Sequence, residues 1–264
     1  MKLSTDKIIA ERDGAIGWLT FNQPEKRNAM SHEMWVATGE ALAAFAADDA
    51  VRVVVMKGAG DKAFVSGADI SQFDKVRANA EVAARHAGAA DEARRQMASL
   101  EKPLIAMIRG FCMGGGLGVA LKADLRIASS DSQFGIPAGR LGIAYGYENV
   151  KALVSLVGPG VAKQILFTAR RFPAETALRM GLIEDVVAPE DLEETVRGYA
   201  ETIAENAPLS VRATKLTVRQ VLSDPDERDL KMLAEIGRQA LDSQDYKEGR
   251  TAFMEKRKPV FVGR

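Results

Sequence analysis

The chain reads as an α/β protein in which strands and helices alternate, followed by a region that is wholly helical. Three observations carry that reading. Short apolar runs with strand spacing alternate with longer amphipathic stretches through the first part of the chain. The run Leu104-Ile-Ala-Met-Ile108 breaks at Gly110 and is followed by Gly114-Gly115-Gly116 and a second apolar run, Leu117 to Leu121. Beyond residue 204 helical patterns follow one another with no strand between them.

Residues 7 to 21 predict two strands joined at Asp13-Gly14, a dipeptide suited to the positive φ angles of a tight hairpin. Asn22-Gln-Pro-Glu-Lys-Arg-Asn28 is a polar loop. Ser31 is a natural N-cap for a helix whose apolar residues are Met34, Leu42 and Phe45 and which runs to about Ala47. Val51 to Lys57 returns as a strand, and after Gly58-Ala-Gly60 comes Ala63-Phe-Val-Ser-Gly-Ala-Asp-Ile70. Strand–helix–strand order of this kind predicts a parallel sheet covered on both faces. Residues 71 to 101, polar and alanine-rich, predict a surface helix and the least ordered part of the chain. Asp124 to Ser129 and Gln133-Phe-Gly135 predict two more short strands, and Ile136 to Gly146 an irregular loop turned by Pro137 and its glycines. From Glu148 onward, breaks at Gly158-Pro159, Pro173, Gly181, Pro189, Pro208 and Pro225 separate about six helices.

The glycines after the central strand point to chemistry. Residues without side chains at a helix start let a ligand touch the backbone, and unpaired first-turn N–H groups favour negative charge there. The spacing excludes two familiar anions. A phosphate loop needs a Lys after its last glycine, which is missing, and a dinucleotide fingerprint needs a third glycine where Val119 stands. What remains is an anion or a developing oxyanion, or a helix contact that uses glycine only for packing.

Composition narrows the partners. In 264 residues, 36 Lys and Arg balance 36 Asp and Glu, so there is no electrostatic footprint for nucleic acid or an anionic membrane. The apolar runs read as too short to span a bilayer. A lone Cys112 excludes an internal disulfide framework, and the opening Met-Lys-Leu-Ser-Thr-Asp-Lys has no apolar signal core, so a cytoplasmic location is expected. With Cys112, His32 and His86 scattered, no metal set is expected. The helices after residue 205 have apolar faces and no sheet to cover, which predicts packing on the core or on a second subunit.

The central stretch, together with Phe64 to Ile70, resembles the crotonase (enoyl-CoA hydratase/isomerase) superfamily. The shared pieces occur in order along nearly the whole chain: Asn22-Gln-Pro with Asn28-Ala29, Ala63 to Ile70, Gly110-Phe-Cys-Met-Gly-Gly-Gly116 with Ala123-Asp124, Phe134-Gly-Ile-Pro137, Leu182-Ile183, and Phe253 with Glu255-Lys-Arg257. The resemblance implies a spiral of β-β-α units over residues 1–204 and a helical region at 205–264 that builds a homotrimer, or a hexamer of two trimers. It implies an acyl-CoA thioester as substrate, with CoA part of that substrate and no separate cofactor. The matching positions make the N–H groups of Ala68 and Gly115 the pair that grips the thioester carbonyl. They also place CoA along Lys26, Arg27, Ala29, Ser66, Ala68, Asp69 and Ile70, with Lys256 contributing from the tail of the same or a neighbouring subunit.

One departure bears on activity. Hydratases of this superfamily use two glutamates, and the matching positions here are Gly118 and Ala138. Adding water across a double bond needs a base for water and a proton donor for carbon, which neither residue can supply. Near the second position stand Arg140, Tyr145, Tyr147 and Glu148. Methylmalonyl-CoA decarboxylases of the superfamily are similar in having an apolar residue at the place of Ala138 and a Tyr at that of Tyr145. They differ in keeping a Glu at the place of Gly118 and a His at that of Ala68. Tyr145 is thus a candidate catalytic residue, and a catalytically silent acyl-CoA-binding subunit is the alternative.

Overall fold

The computed structural model describes residues 1–69 and 80–264. The chain winds through four turns of two strands and a helix: β1 (Ile8–Asp13), β2 (Ile16–Phe21) and α1 (His32–Ala47); β3 (Val53–Gly58), β4 (Ala63–Val65) and α2 (Ala80–Ser99); β5 (Leu104–Ile108), β6 (Phe111–Met113) and α3 (Gly115–Ala120); β7 (Leu125–Ser129), β8 (Gln133–Gly135) and α4 (Tyr147–Thr168). After them come β9 (Phe172–Pro173), α5 (Ala174–Arg179), β10 (Asp185–Val187), α6 (Leu192–Ala204), α7 (Pro208–Leu222), α8 (Leu230–Asp242) and α9 (Gln244–Glu255). One sheet has the order β1-β2-β3-β5-β7-β10, the other β4-β6-β8-β9.

The single parallel sheet read from the strand–helix alternation is therefore two mixed sheets. Both are mainly parallel, with β1–β2 and β8–β9 antiparallel. The cause is local. After β5 the chain turns a corner at Gly110, whose φ is +68° and where a Cβ would stand 2.2 Å from the carbonyl oxygen of Lys62. Only glycine fits, and the corner sends Phe111–Met113 into the second sheet as a strand too short to carry a sequence signal. The expected double cover holds for the long strands: Val54 and Met56 of β3 enter the main core, while Val53 and Val55 pack with Ile105, Leu192, Val196 and Ala200 on the other face. Burial on both faces explains why these strands read as unbroken apolar runs.

Helix α1 begins as its sequence predicts, with Ser31 Oγ accepting from the N–H of Met34 at 3.3 Å. Helix α2 is more than a surface helix, since Ala90, Ala93 and Met97 are buried in the main core. Helix α4 corrects the expectation that no segment is long enough to cross a bilayer: its 22 residues suffice by length and composition. Gly158, at φ 74° and ψ 165°, breaks its regular geometry ahead of Pro159, and Leu153, Ala162 and Ile165 belong to the protein core.

The last helices are tied to the rest of the chain. Arg212 pairs with Glu101 at 2.6 Å and Lys215 with Asp124 at 2.7 Å. Arg52 donates to the carbonyls of Ala204 (2.9 Å) and Phe261 (2.5 Å), and buried Asp245 accepts from the N–H groups of Val262 (2.7 Å) and Gly263 (2.8 Å). These bonds hold the C-terminal tail.

Candidate active site

The loop after β2 and the end of β4 are locked together by one buried side chain. Asn28 accepts from the N–H of Gln23 at 2.9 Å and donates to the carbonyls of Ala59 (3.0 Å) and Ala63 (2.7 Å). Asn28 and Arg27 both have positive φ, 55° and 53°, a conformation that asparagine tolerates better than most residues. The loop then lies along β4 and its exit. The N–H of Ser66 donates to Arg27 O, that of Met30 to Gly67 O, and that of Asp69 to Met30 O, at 3.1, 2.8 and 3.0 Å.

That bridge uses the groups on either side of Ala68 and leaves the N–H of Ala68 pointing elsewhere. Across from it starts α3. Gly114 has φ +52°, donates to Gly135 O at 2.8 Å, and turns the chain so that Gly115 faces Ala68: a Cβ built on Gly115 would stand 3.7 Å from Ala68 N. Among the described residues neither Ala68 N–H nor Gly115 N–H donates to the protein. Two adjacent amides without an acceptor are the kind of donors that an oxyanion hole requires. Helix α3 is only six residues long, so the amides themselves, rather than a long helix dipole, are the available donors.

The three consecutive glycines do different work. Gly114 supplies the positive φ. At Gly116 a Cβ would lie 1.9 Å from Val65 O, so glycine there lets the helix rest on β4, which is the packing role weighed above. Gly115 has ordinary clearance within the protein. Its lack of a side chain matters only to something approaching from outside.

Tyr145 comes to the same place. Its hydroxyl donates to Gly114 O at 3.1 Å, and a Cβ on Gly118 would meet that hydroxyl at 3.1 Å and Asn149 Oδ1 at 3.4 Å. Burial holds the Tyr145 phenol well above the usual tyrosine range, so it is neutral throughout the physiological pH window. Burial likewise pushes up the Cys112 thiol beneath the site, which leaves it unreactive. Of the other residues singled out in this loop, Arg140, Tyr147 and Glu148 are exposed, and the atoms nearest to a Cβ at 118 belong to Tyr145 and Asn149 instead.

The structure thus brings Ala68, Gly115 and Tyr145 together. Lys26, Arg27, Ala29, Ser66 and Asp69 gather along the neighbouring loop. Lys26 is exposed and pairs with buried Asp69 at 2.8 Å, and Ala29 is buried. The Arg27 guanidinium lies 5.3 Å from the centre of the Phe111 ring, with Arg171 5.2 Å from the same ring. Ile70 lies outside the described residues. Lys256 is the exposed, left-handed C-cap of α9 (φ 54°), and among the described residues no hydrogen bond or ion pair joins it to the loop. Asn149 was not apparent as a site residue; the available signal is its four-residue spacing from Tyr145 across the start of α4.

The family model for enoyl-CoA hydratase/isomerase matches residues 11–264. The chain belongs to that family. It is 36% identical to the crotonyl-CoA hydratase of Syntrophomonas wolfei over 263 residues, covering 99% of this chain and 100% of that one. It is 35% identical to the short-chain-enoyl-CoA hydratase of Clostridium acetobutylicum, with 97% of each chain covered. The crystal structure of an enoyl-CoA hydratase/carnithine racemase from Magnetospirillum magneticum superposes with a TM-score of 0.93 at 37% identity, covering 99% of this chain and 97% of that one. This family membership makes the protein an enzyme type that acts on acyl-CoA, and its fold is the family's spiral with a C-terminal helical region.

Proposed function

We propose that the protein binds an acyl-CoA thioester with its carbonyl between the N–H groups of Ala68 and Gly115 and stabilises the thioester enolate, without the two-glutamate hydration machinery. The observation that carries the reading is position 118. Were it the first glutamate site, its side chain would enter space bounded here by a neutral phenol and a neutral amide. An oxyanion hole without a base still accelerates a reaction that forms an enolate by losing something other than a proton. Loss of carbon dioxide from a malonyl-type or alkylmalonyl-type thioester is such a reaction. The C–C bond breaks, its electron pair enters the enolate, and a proton then adds to carbon. Tyr145 is positioned to supply that proton by giving up its bond to Gly114 O.

The relatives named above are hydratases, so the deciding experiment is a turnover panel of crotonyl-, malonyl- and methylmalonyl-CoA. Decarboxylation with only trace hydration is expected. Rapid crotonyl-CoA hydration would reject this reading in favour of a hydratase that uses other groups. Binding of every thioester with turnover of none would favour the silent acyl-CoA-binding subunit, for which the engaged, neutral Tyr145 is the supporting observation.

Lys26, Arg27, Ser66 and Asp69 are proposed to flank the bound CoA, with Lys256 supplied by a neighbouring subunit. The division at residue 204 and assembly as a trimer or a dimer of trimers belong to the same proposal. Val221, Leu222, Leu230 and Leu241 of the last helices are more than half exposed, as are Phe253 and Met254, at 83% and 77%. An assembly through these helices would cover such side chains. Light scattering at micromolar concentration should give three or six times the mass of 28.5 kDa; a monomer would reject the assembly. A cytoplasmic location is proposed on the lone, buried Cys112 thiol.

A further inference from the structure

A cleft of about 760 Å³ lies away from the candidate active site and is not used by the proposed chemistry. It opens at the entrances of β3 and β5, where Arg52, Lys102 and Pro103 stand. The loop that bridges to Ala68 follows the exit of β2, which runs parallel to β3, so the length of β3, about 20 Å, separates the two places. None of the cleft's lining residues belongs to the segments around Ala68, Gly115 or Tyr145. The C-terminal ends of α1 and α2 form one side, the junction of α6 and α7 another, and the tail at Val262 and Gly263 a third. Its size falls within the range of small-molecule sites, about 300–1,000 Å³.

The lining is apolar walls with an excess of positive charge. Leu42, Val51, Leu100, Pro103, Ile203 and Leu209 supply the apolar surface. The cations are Arg52, Lys102, Arg212 and Arg264, and the acids are Asp49 and Glu101, four against two. Arg212 and Glu101 neutralise each other at 2.6 Å. Lys102 donates to the carbonyls of Phe45 and Asp48, both at 2.7 Å, and Arg52 to those of Ala204 and Phe261. Neutral carbonyls fix these two side chains in place without cancelling their charge, and among the described residues neither cation has a carboxylate partner. Both keep donors in reserve: Lys102 uses two of its three N–H bonds in this way and Arg52 two of its five. Burial lowers the Lys102 pKa from the ordinary lysine value, against the opposing pull of Asp48 and Asp49, which is the mark of a cation short of a counter-charge.

We infer that this cleft is a second ligand site, which takes a small organic carboxylate with an apolar body. The carboxylate accepts from Lys102 and Arg52, and the body lies along Leu42, Val51 and Leu100. A single negative charge fits the surplus better than a phosphate ester does, because walls of Leu and Val cannot replace the hydration of a more highly charged group. A neutral apolar molecule would leave the held cations without an acceptor. The ligand would also meet the tail, which Arg52 anchors at Phe261 O, so that occupancy and tail order are linked.

The test is calorimetric titration of the full chain with octanoate, and with octanamide as its uncharged counterpart. The wild type should bind about one octanoate per chain with a Kd of about 1 mM or tighter, and octanamide about tenfold or more weakly. Ala46 is an exposed residue of α1 that lines the cleft. Ala46→Trp fills the apolar space without entering the core, so it should abolish octanoate binding and leave thermal unfolding unchanged. Lys102→Met should weaken octanoate about tenfold and leave octanamide within about twofold of the wild type. Absence of octanoate binding, or equal binding of octanamide, would overturn the proposal. So would octanoate binding undiminished in Ala46→Trp, which would place the ligand elsewhere, the thioester site included. Should Lys102→Met not fold, octanamide and Ala46→Trp still decide. No readout uses turnover or a CoA thioester, so the outcome is independent of the acyl-CoA reading.

Discussion

Gly115→Val is expected to abolish turnover while leaving the protein folded. A branched side chain at 115 would stand over the N–H of Ala68 and fill the space where a thioester carbonyl oxygen must sit. Loss of a single oxyanion donor slows enzymes by about 10²–10³-fold. Here the side chain obstructs both donors at once, so the loss should reach the assay floor. The fold has room for it, because the nearest atoms to a Cβ at 115 are 3.7–3.8 Å away. Gly116→Val provides the contrast. There a Cβ would lie 1.9 Å from Val65 O and 2.6 Å from Val65 C, backbone that cannot step aside. Overpacking usually costs about 1–3 kcal/mol, and a backbone clash this close belongs above that range. Thermal unfolding and turnover measured on both variants separate the two roles. A Gly115→Val protein that keeps its activity would remove the proposed hole, and one that unfolds like Gly116→Val would show that packing alone explains the glycine.

Tyr145→Phe should lower decarboxylation by about 10²–10⁴-fold, the usual worth of a positioned proton donor, with little change in KM. The ring remains, so packing over Gly118 is preserved, and the lost hydrogen bond to Gly114 O costs only about 1 kcal/mol of stability. The pH profile gives an independent check. Burial raises the phenol's pKa in the folded protein, so its proton stays in place below the ordinary tyrosine value of about 10. Stability from this group is complete below that value and is lost as pH rises above it toward the folded-state pKa. The wild-type rate should therefore show no loss attributable to Tyr145 between pH 6 and 9. Unchanged decarboxylation by Tyr145→Phe would reduce the residue to a packing role. Introducing Glu at both 118 and 138 should not by itself produce a hydratase, since a side chain at 118 first meets the Tyr145 hydroxyl and Asn149.

Patterns that repeat locally were legible from the sequence alone: the hairpin at Asp13-Gly14, the Ser31 cap of α1, the apolar strands β3 and β5, and the helices after Glu148. Each is dictated by neighbours a few residues apart, through turn chemistry, capping or burial period. The order of the family motifs was legible too, and with it the spiral and the candidate roles of Ala68 and Gly115. What the tertiary structure alone decided involves contacts between distant segments. The three-residue strands of the second sheet pair by register across the chain, and nothing in Phe111-Cys-Met distinguishes a strand from a loop. Gly114, Gly115 and Gly116 look alike in sequence, yet a positive φ, an open donor and a 1.9 Å clash with Val65 give them three different reasons. Lys26 and Asp69, 43 residues apart, are brought into a pair only by the fold. Asn149 is an ordinary polar residue in the first turn of a helix; only closure of that helix over Gly118 buries its oxygen without a partner.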